Sequence, residues 1–85
     1  MLDIKKVGIK IAELRKTTGY SQEKLSDILH ISPQAISKWE NGHTLPEISL
    51  LPVLSQIFNC TIDEIIMPGY VNDEKIEKEN LTVIE

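Results

Sequence analysis

The chain has 85 residues, one cysteine and a formal net charge of −4. That length makes one small domain; the lone Cys60 excludes an internal disulfide framework and fits a reducing cytoplasm. No apolar run is long enough to cross a membrane, and the N-terminal MLDIKKVG lacks the apolar core of a signal peptide.

Ile4, Val7, Ile11 and Leu14 recur at three- and four-residue steps, which predicts an amphipathic first helix over 4–17 that ends near Gly19. A second helix is expected over 22–29. Ser21 is its N-cap, and Leu25, Ile28 and Leu29 form its apolar stripe. The third, over 33–41, opens at Ser32 with Pro33 in the first helical position, turns Ile36 and Trp39 inward and stops at Asn41-Gly42. Two helices this short and this close cannot lie antiparallel along their length, so they cross as a helix-turn-helix over about 22–41.

The fourth helix is expected over 47–58, burying Leu51, Leu54, Ile57 and Phe58. Pro52 removes an N–H donor and crowds the carbonyl four residues back, so it must lie in the first turn. Ser49 would then cap the regular part, after an irregular turn over 46–49. Thr61 and Glu64 form a capping box for a fifth helix from Ile62 to about Met67, and Pro68-Gly69 closes the compact region. The expected fold class is therefore all-α. A five-helix domain fills 1–69, and a flexible C-terminal tail or linker fills 70–85. That tail is charge-dense from Asp73 to Asn80 and ends in the β-prone run Leu81-Thr82-Val83-Ile84. A frayed end, a linker to a further domain and a dimerisation arm all remain open for it.

Ser21-Gln22 with Leu25, then Ile36-Ser37, Trp39-Glu40, Asn41-Gly42, and the flanking Arg15, Pro46, Leu51, Phe58 and Thr61–Ile65 resemble the helix-turn-helix family of phage lambda repressor and Cro, the XRE family. The resemblance runs from about Val7 to Met67. It implies a lambda-repressor-like DNA-binding domain whose third helix enters the major groove. It also implies that Arg15 and Glu40 meet as a partly buried ion pair fixing that helix against helix one. The family's equivalent of Gln22 anchors the DNA backbone. His30 stands where the family usually has Gly, at a turn position that calls for positive φ, and His accepts that at a strain on the order of 1 kcal/mol.

The outward residues suit the task by their own chemistry. Gln34 and Lys38 lie four apart on one face of helix three; Gln can pair bidentately with adenine, and Lys can donate to guanine O6 or N7. Ala35 suits a thymine methyl and Ser37 a base or phosphate. Pro33 donates nothing from its backbone, so base reading falls to Gln34, Ala35, Ser37 and Lys38. Ser21, Gln22, Ser32, Pro33, Asn41, His43 and Thr44 line the expected phosphate contacts, helped by the partial positive charge of helix N-termini.

The acidic balance opposes this reading only weakly, because the acids are unevenly distributed. Residues 1–43 hold seven Lys/Arg against five acids, and residues 44–85 hold two against eight. Local sign at the docking face matters more than the whole-chain value.

His30 and His43 lack neighbouring ligands at metal spacing, so neither a metal nor a small-molecule cofactor is expected. Ser21, Asp27 and His30 have the residue types of a hydrolase triad without its nucleophile turn or oxyanion glycines, which argues against an enzyme. The expected function is sequence-specific binding of double-stranded DNA by a cytoplasmic, nucleoid-associated transcriptional regulator. It would act mainly as a repressor, as a homodimer on a pseudo-palindromic operator. The expected dimer contact is the helix four–helix five surface around Phe58 to Ile62. The alternatives are an antitoxin that also holds a partner protein, and an interaction adaptor that keeps the fold without binding DNA.

Overall fold

In the computed structural model, which describes residues 2–68, five α-helices follow one another: α1 Ile4–Thr18, α2 Gln22–Leu29, α3 Pro33–Glu40, α4 Leu51–Phe58 and α5 Ile62–Ile66. The expected tail over 70–85 lies outside the described residues.

Helix starts follow local side-chain chemistry. Asp3 accepts from the N–H groups of Lys5 and Lys6 at 3.1 and 3.2 Å, Ser21 from Lys24, Ser32 from Ala35, and Thr61 from Glu64, whose carboxylate returns to the Thr61 N–H. These caps satisfy donors that have no intrahelical acceptor.

Helix ends share one device. After α1, α2, α3 and α4 a single residue turns left-handed: Gly19, His30, Gly42 and Asn59, with φ of 91°, 59°, 76° and 55°. In each case this residue's N–H and the next bond back to the carbonyls of the last turn, as in Tyr20 to Arg15, Ile31 to Ser26, His43 to Lys38 and Cys60 to Ser55. His30 therefore has the positive φ expected of it. Asn59 does so without having been expected, although Asn is among the side chains that best tolerate it.

Three expectations need correction. The fourth helix does not begin at 47: Ile48–Leu50 form a 3-10 turn, and regular helix starts at Leu51. Ser49 caps nothing, since the N-cap of α4 is Leu50, which makes no side-chain cap bond. Pro52 sits in the first turn, where its missing N–H has no intrahelical partner to lose. Ile28, expected in the apolar stripe of α2, is 36% exposed, while Leu25 and Leu29 beside it are buried.

The core joins Val7 and Ile11 of α1, Leu25 and Leu29 of α2, Ile36 and Trp39 of α3, Leu54 and Phe58 of α4, and Ile65 of α5. Leu51 and Ile57 are only half-buried. Helix α1 is the hub, packing on α3, α4 and α5, while α2 packs on α3. Gly8 makes the α1–α3 seat possible: a Cβ there would lie 2.1 Å from the Trp39 carbonyl oxygen. Only a residue without a side chain lets the two backbones meet.

Candidate nucleic-acid interface

Helix α3 is eight residues long, and its inward side is spent on Ile36 and Trp39, which are 0% and 4% exposed. Trp39 is thus a core residue. Pro33, Gln34 and Lys38 are exposed; Ala35 and Ser37 are half-buried. The 3.6-residue repeat brings Gln34 and Lys38 to one outward face. Ser37 is tied to the end of the helix, because the Asn41 side-chain amide donates to its hydroxyl at 3.2 Å.

The segment after α3 is fixed by its backbone. The His43 and Gly42 N–H groups donate to the carbonyls of Lys38 and Trp39 at 2.8 and 3.0 Å. This holds Asn41, His43 and Thr44, all exposed, in one short turn. Gly42 is required there by its φ and also by its neighbour, since a Cβ on it would lie 3.0 Å from Lys5 Cγ. The stem of Lys5 therefore lies over this turn, and Lys5 is itself an exposed residue. Sequence spacing gave no hint of Lys5, which is 37 positions from Gly42; only the packing of α1 on α3 brings them together.

At the other end, the hydroxyls of Ser21 and Ser32 accept backbone N–H groups at 3.0 and 3.2 Å. A hydroxyl in that role still has its own hydrogen to donate. The first-turn N–H groups of Gln22 and Gln34 have no intrahelical acceptor, and Pro33 offers none. Donors thus collect at the starts of α2 and α3, where the helix dipole favours an anion.

One network locks these parts together. Arg15 Nε and Nη2 donate to the two carboxylate oxygens of Glu40 at 2.6 and 3.0 Å. Arg15 Nη1 donates to the Tyr20 carbonyl at 2.9 Å, and the Gln22 side-chain amide donates to Glu40 Oε1 at 2.9 Å. The guanidinium fork matches the carboxylate, and both side chains are about nine-tenths buried (11% and 9% exposed). Gln22 is therefore half-committed: one amide hydrogen holds Glu40, leaving its second amide hydrogen and its backbone N–H for an anion. Among the described residues no buried side-chain polar atom lacks a partner.

The hydrogen bonds that Arg15 donates to Glu40 hold the Arg15 pKa above its ordinary value. At Glu40 burial pushes the carboxyl up, but hydrogen bonds from Arg15 and Gln22 together with the guanidinium charge outweigh it and hold it below the usual glutamate range. The sign of the linkage follows. An unfolded-chain glutamate titrates near about 4.3. Stabilisation from a depressed carboxylate is complete above that pH and is lost as pH falls through the lower folded value. Urea unfolding from neutral pH to about pH 3 should show wild-type stability falling more steeply with acid than that of Glu40→Gln. Parallel slopes would mean that the carboxylate is not held in its charged form.

Among the described residues no helix is long and apolar enough to cross a membrane, and no cluster of His, Cys, Asp and Glu could hold a metal ion.

Residues 11–65 match the helix-turn-helix family model. Over 57 residues the chain is 40% identical to the HTH-type transcriptional activator BcrR of Enterococcus faecalis, covering 67% of this chain and 28% of that protein. Over 61 residues it is 34% identical to the competence pilus inhibition repressor of Acinetobacter baylyi, covering 72% of this chain and 56% of that one. The chain therefore spans about a quarter of the first relative and about half of the second. Its fold matches the restriction-modification controller protein C.AhdI of Aeromonas hydrophila with a TM-score of 0.67 at 23% identity, over 75% of this chain and 97% of that one.

Proposed function

The chain belongs to the helix-turn-helix family of transcriptional regulators, and from that premise we propose that it reads an operator in double-stranded DNA through the outward face of α3. The observation that carries this is the exposed Gln34–Lys38 pair on a helix held rigidly from behind by Arg15, Glu40 and Gln22. A reading helix must be positioned before its side chains can discriminate bases, and a buried, bidentate, cross-linked carboxylate positions it. Gln34 and Lys38 supply base-edge hydrogen bonds, with Ala35 and Ser37 beside them. Ser21, Gln22, Ser32 and the turn Asn41–Thr44 hold phosphates on either side, and Pro33 pre-sets the start of α3 without a donor of its own. We add Lys5 to the phosphate set.

Residues 1–69 form the DNA-binding unit in this reading, and the protein acts in the cytoplasm on the nucleoid. It works as a homodimer, because one module with few basic residues releases few counterions and binds weakly at physiological salt. The dimer contact lies over the end of α4 and the start of α5. Phe58 is not part of it, being 7% exposed and spent on the core; exposed Asn59 and Thr61 with half-buried Ile62 offer the surface there. One sequence relative is an activator and the other a repressor. We infer repression here, since a bound DNA-binding domain blocks a promoter by occupancy alone.

Substitution separates the two kinds of contact. Gln34→Ala and Lys38→Ala should each weaken binding to the preferred operator by roughly 1–3 kcal/mol and relax the preference at one or two positions. Lys5→Ala should weaken binding about equally on all sequences and lower the salt slope by about 1. Fluorescence anisotropy on matched and mismatched duplexes across a salt series reads both. Unchanged sequence preference in both α3 variants would remove base reading from Gln34 and Lys38.

A further inference from the structure

A groove of about 260 Å³ lies on a part of the surface formed by neither α2 nor α3. It is lined by Leu2 before α1, by Leu45, Pro46 and Ile48 in the α3–α4 connection, by Leu51 at the start of α4 and by Ile66 at the end of α5. Every lining residue is apolar. Ile48 is 84% exposed, and Leu2 and Leu45 are 48% and 40% exposed. That is a large apolar exposure for so small a domain, and it has the character of a surface that something covers.

We propose that this groove is the docking site of the chain's own Leu81-Thr82-Val83-Ile84 segment. Chain continuity argues for it first. Ile66, one wall of the groove, precedes Pro68 by two residues, and residues 69–85 follow directly. Residues 69–80 extend to at most about 40 Å, so reach does not limit the segment. A tether that short gives an effective concentration in the millimolar range, so a segment of only millimolar intrinsic affinity would be seated about half the time.

Composition argues for it second. Residues 69–80 carry Asp73, Glu74, Glu77 and Glu79 against Lys75 and Lys78, a net charge of −2, and the uncharged, mainly apolar run Leu81–Ile84 follows them. Shape argues third. An extended chain segment supplies a convex, apolar filler of the kind a groove takes.

Cysteine pairing tests this in the full chain. In a Cys60→Ala background, Ile48→Cys is combined with Val83→Cys, and disulfide formation under mild oxidation is followed by mass and by non-reducing electrophoresis over a dilution series. The expected product is an intrachain disulfide whose rate does not depend on concentration. Adding Leu81→Asp and Ile84→Asp, which leaves the tether length unchanged, should slow it about tenfold. An unchanged rate with the aspartates would overturn the proposal, because tethered collision alone would then explain the product. An interchain product that fades on dilution would also overturn it, giving the groove to a second copy. Methyl NMR of the chain without introduced cysteines supplies a second reading. The Ile48 methyl signals should shift between wild type and Leu81→Asp/Ile84→Asp, and identical spectra would count against docking. Neither readout involves DNA, so the result stands apart from the operator-binding proposal.

Discussion

Trp39→Ala should destabilise the protein by roughly 3–5 kcal/mol, the cost of emptying a large core position. The indole is 4% exposed, and the domain has few aromatic residues to close over the space, with one Trp, one Phe and two Tyr in the whole chain. Small domains hold about 5–15 kcal/mol of stability, so the variant should be marginal or unfolded at ambient temperature. Position compounds the loss. Trp39 lies between Lys38, on the outward face, and Glu40, in the ion-pair network, so the packing that seats it also aims α3. Urea or thermal unfolding monitored by circular dichroism checks this, with DNA binding measured below the variant's own midpoint. An unchanged midpoint with weakened binding would place the indole at the DNA surface instead.

Gly8→Ala should cost on the order of 3 kcal/mol, although alanine is the better helix former by about 1 kcal/mol. The added carbon would sit 2.1 Å from the Trp39 carbonyl oxygen and 3.1 Å from the Glu40 carbonyl. Both obstacles are backbone, so no side chain can swing aside; α1 and α3 must separate by about an ångström. Separation strains the Arg15–Glu40 contact and tilts the reading helix, so operator affinity should fall further than stability alone explains. A Gly8→Ala protein as stable as wild type would show that α1 and α3 pack more loosely than the structure has them. The comparison that isolates the clash is Gly19→Ala, where nothing lies within 4 Å and only the positive φ is strained.

What could be read from sequence was set by local chemistry. Ser21, Ser32 and the Thr61–Glu64 box start helices through bonds spanning three residues, and these starts are visible in a short window. The inward course of Ile36 and Trp39 follows from helical period alone. The start of α4 was obscured because the 3-10 turn at Ile48–Leu50 carries no side-chain cap, leaving Ser49 as a misleading candidate. Phe58 is buried as its helical spacing predicts, whereas no local pattern says what covers the surface around Asn59 and Thr61 beside it.

The long-range features were least legible. Gly8 against the Trp39 carbonyl and Lys5 against Gly42 join positions more than thirty residues apart. The Arg15–Glu40 pair was expected only through family resemblance, and the Gln22 amide that joins it had been assigned wholly to DNA. Such contacts depend on how α1 crosses α3, which no local pattern encodes.

Selection of bound duplexes from a random pool by the full chain tests the central claim most directly, that α3 reads sequence in double-stranded DNA. The expected result is enrichment of a motif of two inverted half-sites about 10 bp apart, the spacing that brings two reading helices into successive major grooves on one face of B-DNA. Gln34→Ala or Lys38→Ala should then shift one or two positions within each half-site. A pool indistinguishable from its input after repeated rounds at low salt would contradict the account, leaving the α3 face without a DNA-reading role.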